Sequence, residues 1–126
     1  MKKIIIFLIC LIFSLSLSAQ SKIEIVVNNT MVVNKETRVI VAQGEHTPVH
    51  IIIDVANHAV FFPDSEQPEY FHKFDILKIG NPGKNVWGYM LHDRYIVLDL
   101  QNKEFQMYLN KSENVTVNKN IDITFH

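Results

Sequence analysis

Residues 49–62 read VHIIIDVANHAVFF, and this stretch decides the fold class. Ile51, Ile52 and Ile53 are consecutive β-branched residues, which fit a pleated surface better than a helix. A run this apolar predicts a strand buried on both faces, or one crossing a curved part of a sheet. Asp54 and Asn57 then punctuate it before a second apolar run, Ala59 to Phe62. A carboxylate accepts backbone N–H groups across a turn, and Asn tolerates the left-handed conformation that closes one. Strand, Asp-x-x-Asn, strand therefore predicts a hairpin. The pattern returns 45 residues later, where Ile96, Asp99 and Asn102 repeat Ile51, Asp54 and Asn57. Shared turn chemistry accounts for three common positions, with duplication as the alternative.

Outward from these hairpins the same punctuation continues. No stretch after residue 20 keeps a helical period over ten residues, whereas short β-branched and alternating runs recur between Asn, Asp, Gly and Pro. Strands are expected at 23–27, 31–33, 37–42, 49–55, 58–62, 70–79, 86–92, 95–100 and 104–109, with a final hairpin of 115–117 and 121–125. Loops are expected at 43–48, 63–69 and 80–85. Within 70–79, Phe74 and Ile76 alternate while Leu77 breaks phase, as in a bent or bulged strand. The fold class is all-β: an antiparallel up-and-down meander of about nine to eleven short strands, curled into a closed or half-open barrel, with a two-layer β-sandwich as the alternative.

In strand count and turn spacing, the chain after residue 19 resembles the calycin barrels of lipocalins, fatty-acid-binding proteins and avidins. The resemblance implies a fold class only. The Gly-x-Trp motif of lipocalins is absent, since Trp87 is mid-chain and follows Val86, and there is no helix pair. No functional residue is carried over.

The N-terminus sets the expected compartment. Lys2 and Lys3 precede an apolar run from Ile4 to Phe13, and Ser14 to Ala19 supply small residues for processing. This order is that of a secretory signal peptide, residues 1–19, leaving a single β domain over 20–126. The apolar run is shorter than the roughly 20 residues of a spanning helix, so no membrane span is expected after cleavage. The expected location is the periplasm or the exterior of a Gram-negative bacterium. Cys10 is the only cysteine and leaves with the leader, so neither a disulfide nor thiol chemistry is expected. Lys2 and Lys3 leave too, which turns 12 basic and 13 acidic residues into 10 and 13. A mildly acidic domain without a basic block lacks the electrostatic footprint of a nucleic-acid binder.

Catalytic patterns are sparse. Ser65 and Ser112 sit among polar loop residues, outside any G-x-S-x-G setting. Gly80 to Lys84 has the wrong glycine spacing for a phosphate loop, and Asn85 stands where a Ser or Thr is needed. Asp54 and Asp99 are explained by turns, and alternation with Phe74 and Ile76 points Asp75 outward. The six histidines are scattered. If they hold a metal, His72 and His92, expected on neighbouring strands, are the pair to consider. No cofactor is expected, and enzymatic activity is not, with a metal-dependent enzyme using the scattered histidines as the last-ranked alternative.

Aromatics carry the remaining expectation. Trp87, Tyr89 and Leu91 share one face of their strand, and Gly88 between them marks a bend or a close approach. Trp87, Gly88 and Tyr89 are the candidate ligand-binding residues. Filling the core is the competing role. The expected function is that of a small exported non-enzymatic domain binding a small apolar ligand or a partner protein. An interaction or inhibitor module would instead act through its sheet edges, at 23–27 or 121–125.

Overall fold

A computed structural model describes Lys22–His126, so the predicted leader lies outside the described residues. Ten strands follow one another without a helix: β1 Lys22–Asn34, β2 Ile40–Asp54, β3 Ala59–Pro63, β4 Phe71–Asp75, β5 Lys78–Gly83, β6 Val86–Met90, β7 Arg94–Asp99, β8 Glu104–Leu109, β9 Asn114–Asn118 and β10 Asp122–Phe125. All pair antiparallel in one sheet, in the order β4-β3-β2-β1-β9-β8-β7-β6-β5, with β10 also on β1.

The long strand β1 organises this sheet. Its first half, Ile23 to Val26, lies between β2 and β10, and its second half, Met31 to Asn34, lies between β2 and β9. A run of 13 residues can do this because Asn28-Asn29, expected as a turn, stays extended. The residues expected as a loop at 43–48 also stay in β2, where a shift of register lets the chain pass Pro48. Proline has no N–H to give a ladder, and a bulge is where a strand tolerates it.

The sheet curls into a half-barrel. Ile23, Ile25, Ile51, Ile53 and Val60 from β1–β3 meet Tyr89, Ile96, Leu98 and Phe105 from β6–β8 in one core. The two end strands, β4 and β5, are successive in the chain. Between them Ile76 N–H donates to His58 O at 2.7 Å, and Leu77 N–H donates to Met90 O at 2.8 Å. Adjacent amides thus tie the two ends of the sheet together. The expected single bent strand over 70–79 is therefore two strands with different partners, and Leu77 breaks phase because the chain changes neighbours there.

Arg94 supports the same closure. Its guanidinium lies 4.6 Å from the Phe74 ring centroid and 5.5 Å from that of Phe62, while Phe62 and Phe74 meet edge to face at 5.3 Å. Asp93 holds the guanidinium at 3.0 Å through both Nε and Nη2. A cation over two rings, partly withdrawn from water, links β7 to β3 and β4. A second, smaller cluster, Val33, Val115 and Val117 with Met31 and Tyr108, packs where β1 meets β9.

The two Asp-x-x-Asn hairpins form as expected, β2–β3 and β7–β8. Asp54 accepts Asn57 N–H at 3.2 Å and Nδ2–H at 2.9 Å, and Asp99 accepts the same groups of Asn102 at 3.0 and 2.8 Å. The left-handed residue is not the Asn but the one after it, His58 and Lys103, each at φ 51°. The carboxylate holds the Asn side chain in place, which leaves its neighbour to reverse the chain. The likeness extends further than three positions. Ile121 N–H donates to Lys103 O at 3.1 Å, matching Ile76 on His58. Ile25 lies between Ile51 and Ile123, and Tyr89 lies between Ile96 and Ile79. The strands β1–β5 and β6–β10 are thus two structural repeats, each ending in a strand that pairs with the first strand of the other. The expected hairpin of 115–117 with 121–125 does not form, because β10 crosses to β1.

Candidate functional site

The interior of the half-barrel is filled by its own side chains. Tyr89 is 2 % exposed and packs among Ile25, Ile53, Ile96, Leu98 and Phe105, and burial pushes its hydroxyl pKa up to about 12. Gly88 does mark a close approach, and what approaches is the Tyr95 ring of the next strand. A Cβ at Gly88 would meet the Tyr95 hydroxyl and Cζ. Trp87, paired with Leu98 in register, is 36 % exposed. The three candidate residues are adjacent but lie in three environments: rim, covered backbone and core.

The histidines are dispersed. His72, on edge strand β4, places Nε2 2.8 Å from Asp64 Oδ1. His92 lies in the turn between β6 and β7, outside both strands, and among the described residues β4 pairs only with β3, so the two are not on neighbouring strands. The sequence suggests proximity because it shows a single strand over 70–79; the change of partners at Ile76 removes it. Among the described residues, Glu24 is the carboxylate shared by two imidazoles, with His50 Nδ1 2.9 Å from Oε1 and His126 Nε2 3.2 Å from Oε2. Both contacts hold the Glu24 carboxyl below its usual range. Among the described residues no group of three or more His, Cys, Asp or Glu is placed to hold a metal ion. Asp75 faces solvent, as its alternation implies, with Lys73 4.0 Å away.

The more distinctive feature is an edge. From Ile40 to Glu45, β2 has β1 on one side, and it pairs with β3 only at Ile52 to Asp54. Its other side carries no strand among the described residues. Val39, Ile40 and Val41 lie there at 62, 51 and 60 % exposure, three large apolar side chains in succession. By contrast, the expected edge at 23–27 is central, between β2 and β10, and only β10 of that pair of expectations borders a single strand. The sequence signal that could have marked the β2 edge is Pro48, which a paired central strand would not accept.

Where the free edge meets β3, a cleft of about 420 Å³ opens between β2 and the loop that precedes β4. Pro48, Val49, Pro63, Pro68 and Phe71 make its walls, and His50, Asp64 and Ser65 are among its polar groups. The loop is internally braced. Asp64 Oδ2 accepts Glu66 N–H at 3.0 Å and Gln67 N–H at 2.9 Å, and Asp64 N–H donates to Tyr70 O at 2.8 Å. The His72 contact and these two amides keep the Asp64 carboxyl below its usual range. Another cleft, lined by Val26, Leu100, Lys103 and Ile121–Phe125, is larger at about 650 Å³ but wider open. Comparison with family models, with curated proteins and with solved structures returns no match, so the geometry alone identifies the surface.

Proposed function

We propose that this chain is an exported, non-enzymatic binding domain whose partner is another protein, engaged by strand addition along the free edge of β2. The observation that carries the reading is the stretch from Val39 to Glu45, unpaired on one side and flanked by Val39, Ile40 and Val41. Unpaired backbone donors and acceptors in a row are a template for another extended chain, and exposed apolar side chains beside them add affinity. Natural sheets commonly protect such an edge with charge or a bulge. Here Pro48 and the bulge beside it follow the stretch, which is itself interrupted only by a one-residue bulge at Val41 and by the charge of Glu45. The small-apolar-ligand version has weaker support, since Tyr89 is packed on all sides and Tyr95 covers Gly88.

Hydrogen exchange tests the reading. Amides of 39–45 that point away from β1 are expected to exchange fast in the free protein, and an extended peptide partner is expected to protect them. If instead apolar small molecules raise the melting temperature while no peptide alters exchange in 39–45, the reading is wrong.

A further inference from the structure

Resting on the strand-addition reading above, we propose that the segment recognised is basic and carries an apolar side chain that seats in the cleft between β2 and the loop 64–70. Strand addition along β2 has a defined end. Pro48 offers no N–H, and the register shift around it turns the chain out of the ladder. A peptide running along Ile40 to Glu45 therefore leaves β2 where the cleft begins, against Pro48, Val49 and Phe71. Three proline rings and a phenyl ring around a cleft this size suit an aliphatic or aromatic side chain.

Charge selects the flanking residues. The loop carries Asp64, Glu66 and Glu69, and among the described residues neither Glu66 nor Glu69 forms an ion pair. Asp64 meets only His72. Lysine or arginine on either side of the anchoring residue would complement these carboxylates, and an acidic segment would be repelled. The hydrogen bonds that brace the loop leave the cleft formed before the partner arrives, which lowers the entropic cost of binding.

The test uses three fluorescein-labelled ten-residue peptides and anisotropy titration of the purified protein. One alternates lysine and valine and ends in phenylalanine, one has glutamate for every lysine, and one is the lysine peptide with alternate amides N-methylated. The lysine peptide is expected to bind, and the glutamate peptide to bind about tenfold more weakly or worse. Phe71→Ser, and separately Glu66→Gln with Glu69→Gln, should each weaken the lysine peptide by about three- to tenfold. Circular dichroism and melting should be unchanged, because all three residues are exposed. Equal affinity for the lysine and glutamate peptides, or indifference to both sets of substitutions, overturns the proposal. The methylated peptide separates it from its foundation: if that peptide binds as well as its parent, strand addition itself fails. If methylation abolishes binding while Phe71→Ser and the glutamine pair do nothing, the edge stands and the basic, anchored partner falls. A concentration-dependent dimer that excludes the lysine peptide makes a second copy the occupant and also overturns the proposal.

Discussion

The Asp54 and Asp99 hairpins are built from the same turn, and their surroundings differ. Both carboxylates hold the amide and side chain of the Asn three residues on. Both are followed by a left-handed residue whose carbonyl accepts a buried isoleucine's N–H. Yet Asp54 is buried at 4 % exposure while Asp99 reaches solvent. The partners of β2 and β7 differ as well. Strand β7 is paired along its length by β6 and β8, whereas β2 runs on past its hairpin into an edge with one neighbour. One local rule thus serves two repeats, and what lies around each decides which is scaffold and which is exposed. The surface that distinguishes this molecule lies where the two repeats cease to match.

Breaking the shared core should have the largest effect. Ile53 and Leu98 occupy equivalent positions and are each 0 % exposed. Truncating either to alanine is expected to cost about 2–5 kcal/mol, measured by urea unfolding. Similar losses would support equivalent repeats; a loss below about 1 kcal/mol at one of them would show that the halves are unequally packed.

The turns should then part company. Asp54→Ala removes a buried carboxylate and both of its bonds to Asn57 and should cost about 1–3 kcal/mol, whereas water can replace the more open Asp99 carboxylate and Asp99→Ala should cost about 1 kcal/mol or less. Equal costs would mean that burial does not distinguish them. Asp99 offers a pH version of the same test. The Asn102 backbone N–H is the main cause that holds its carboxyl below 3.8 in the folded state. An unfolded chain binds that proton more readily, so the contribution is fully present above the unfolded pKa and is lost as pH falls through the folded one. Asp99→Asn should therefore flatten the acid limb of the stability curve below about pH 4. An unchanged limb would refute it.

Glycine at His58 or Lys103 should make a smaller change, in the opposite direction. Each is a non-glycine residue at φ 51°, so His58→Gly and Lys103→Gly should stabilise by about 0.5–1 kcal/mol, read from the melting temperature. Destabilisation at one site alone would show that its side chain does something the turn does not need. The smallest effect belongs to the edge. Val41→Lys should leave stability within about 0.5 kcal/mol of the parent. It should abolish peptide-induced protection in 39–45, because a charged edge residue discourages strand pairing.

How much of this was legible depended on whether a signal was local. The two hairpins were, because a carboxylate three residues before an Asn carries its own turn chemistry. The all-β class was, because β-branched runs between breakers leave no helical alternative. The crossing of β10 to β1 was not, since Asn118-Lys119-Asn120 makes as good a local turn as any. What overrides it is Ile121, 1 % exposed beneath the Lys103 carbonyl, which draws the chain away from β9. The ribbon of β1 and β2 was misjudged for a similar reason. Asn28-Asn29 and Gly44 suggest turns, but neighbouring strands hold them extended. Of the candidate site, Gly88 was recognised as a place of close approach, but the approaching group, Tyr95, lies on another strand.

By itself, then, the sequence determined the secondary-structure class and the position of both Asp-x-x-Asn turns. These follow from short-range sterics and hydrogen bonding, which act over a few residues wherever the chain goes. Only the tertiary structure decided that β1 is central, that β4 and β5 separate at Ile76, that the core fills the barrel, and that the unpaired backbone lies along β2. Each of those depends on which distant strand supplies the missing hydrogen bonds. Burial of residues such as Ile76 and Ile121 settles that choice, and no local pattern reports it.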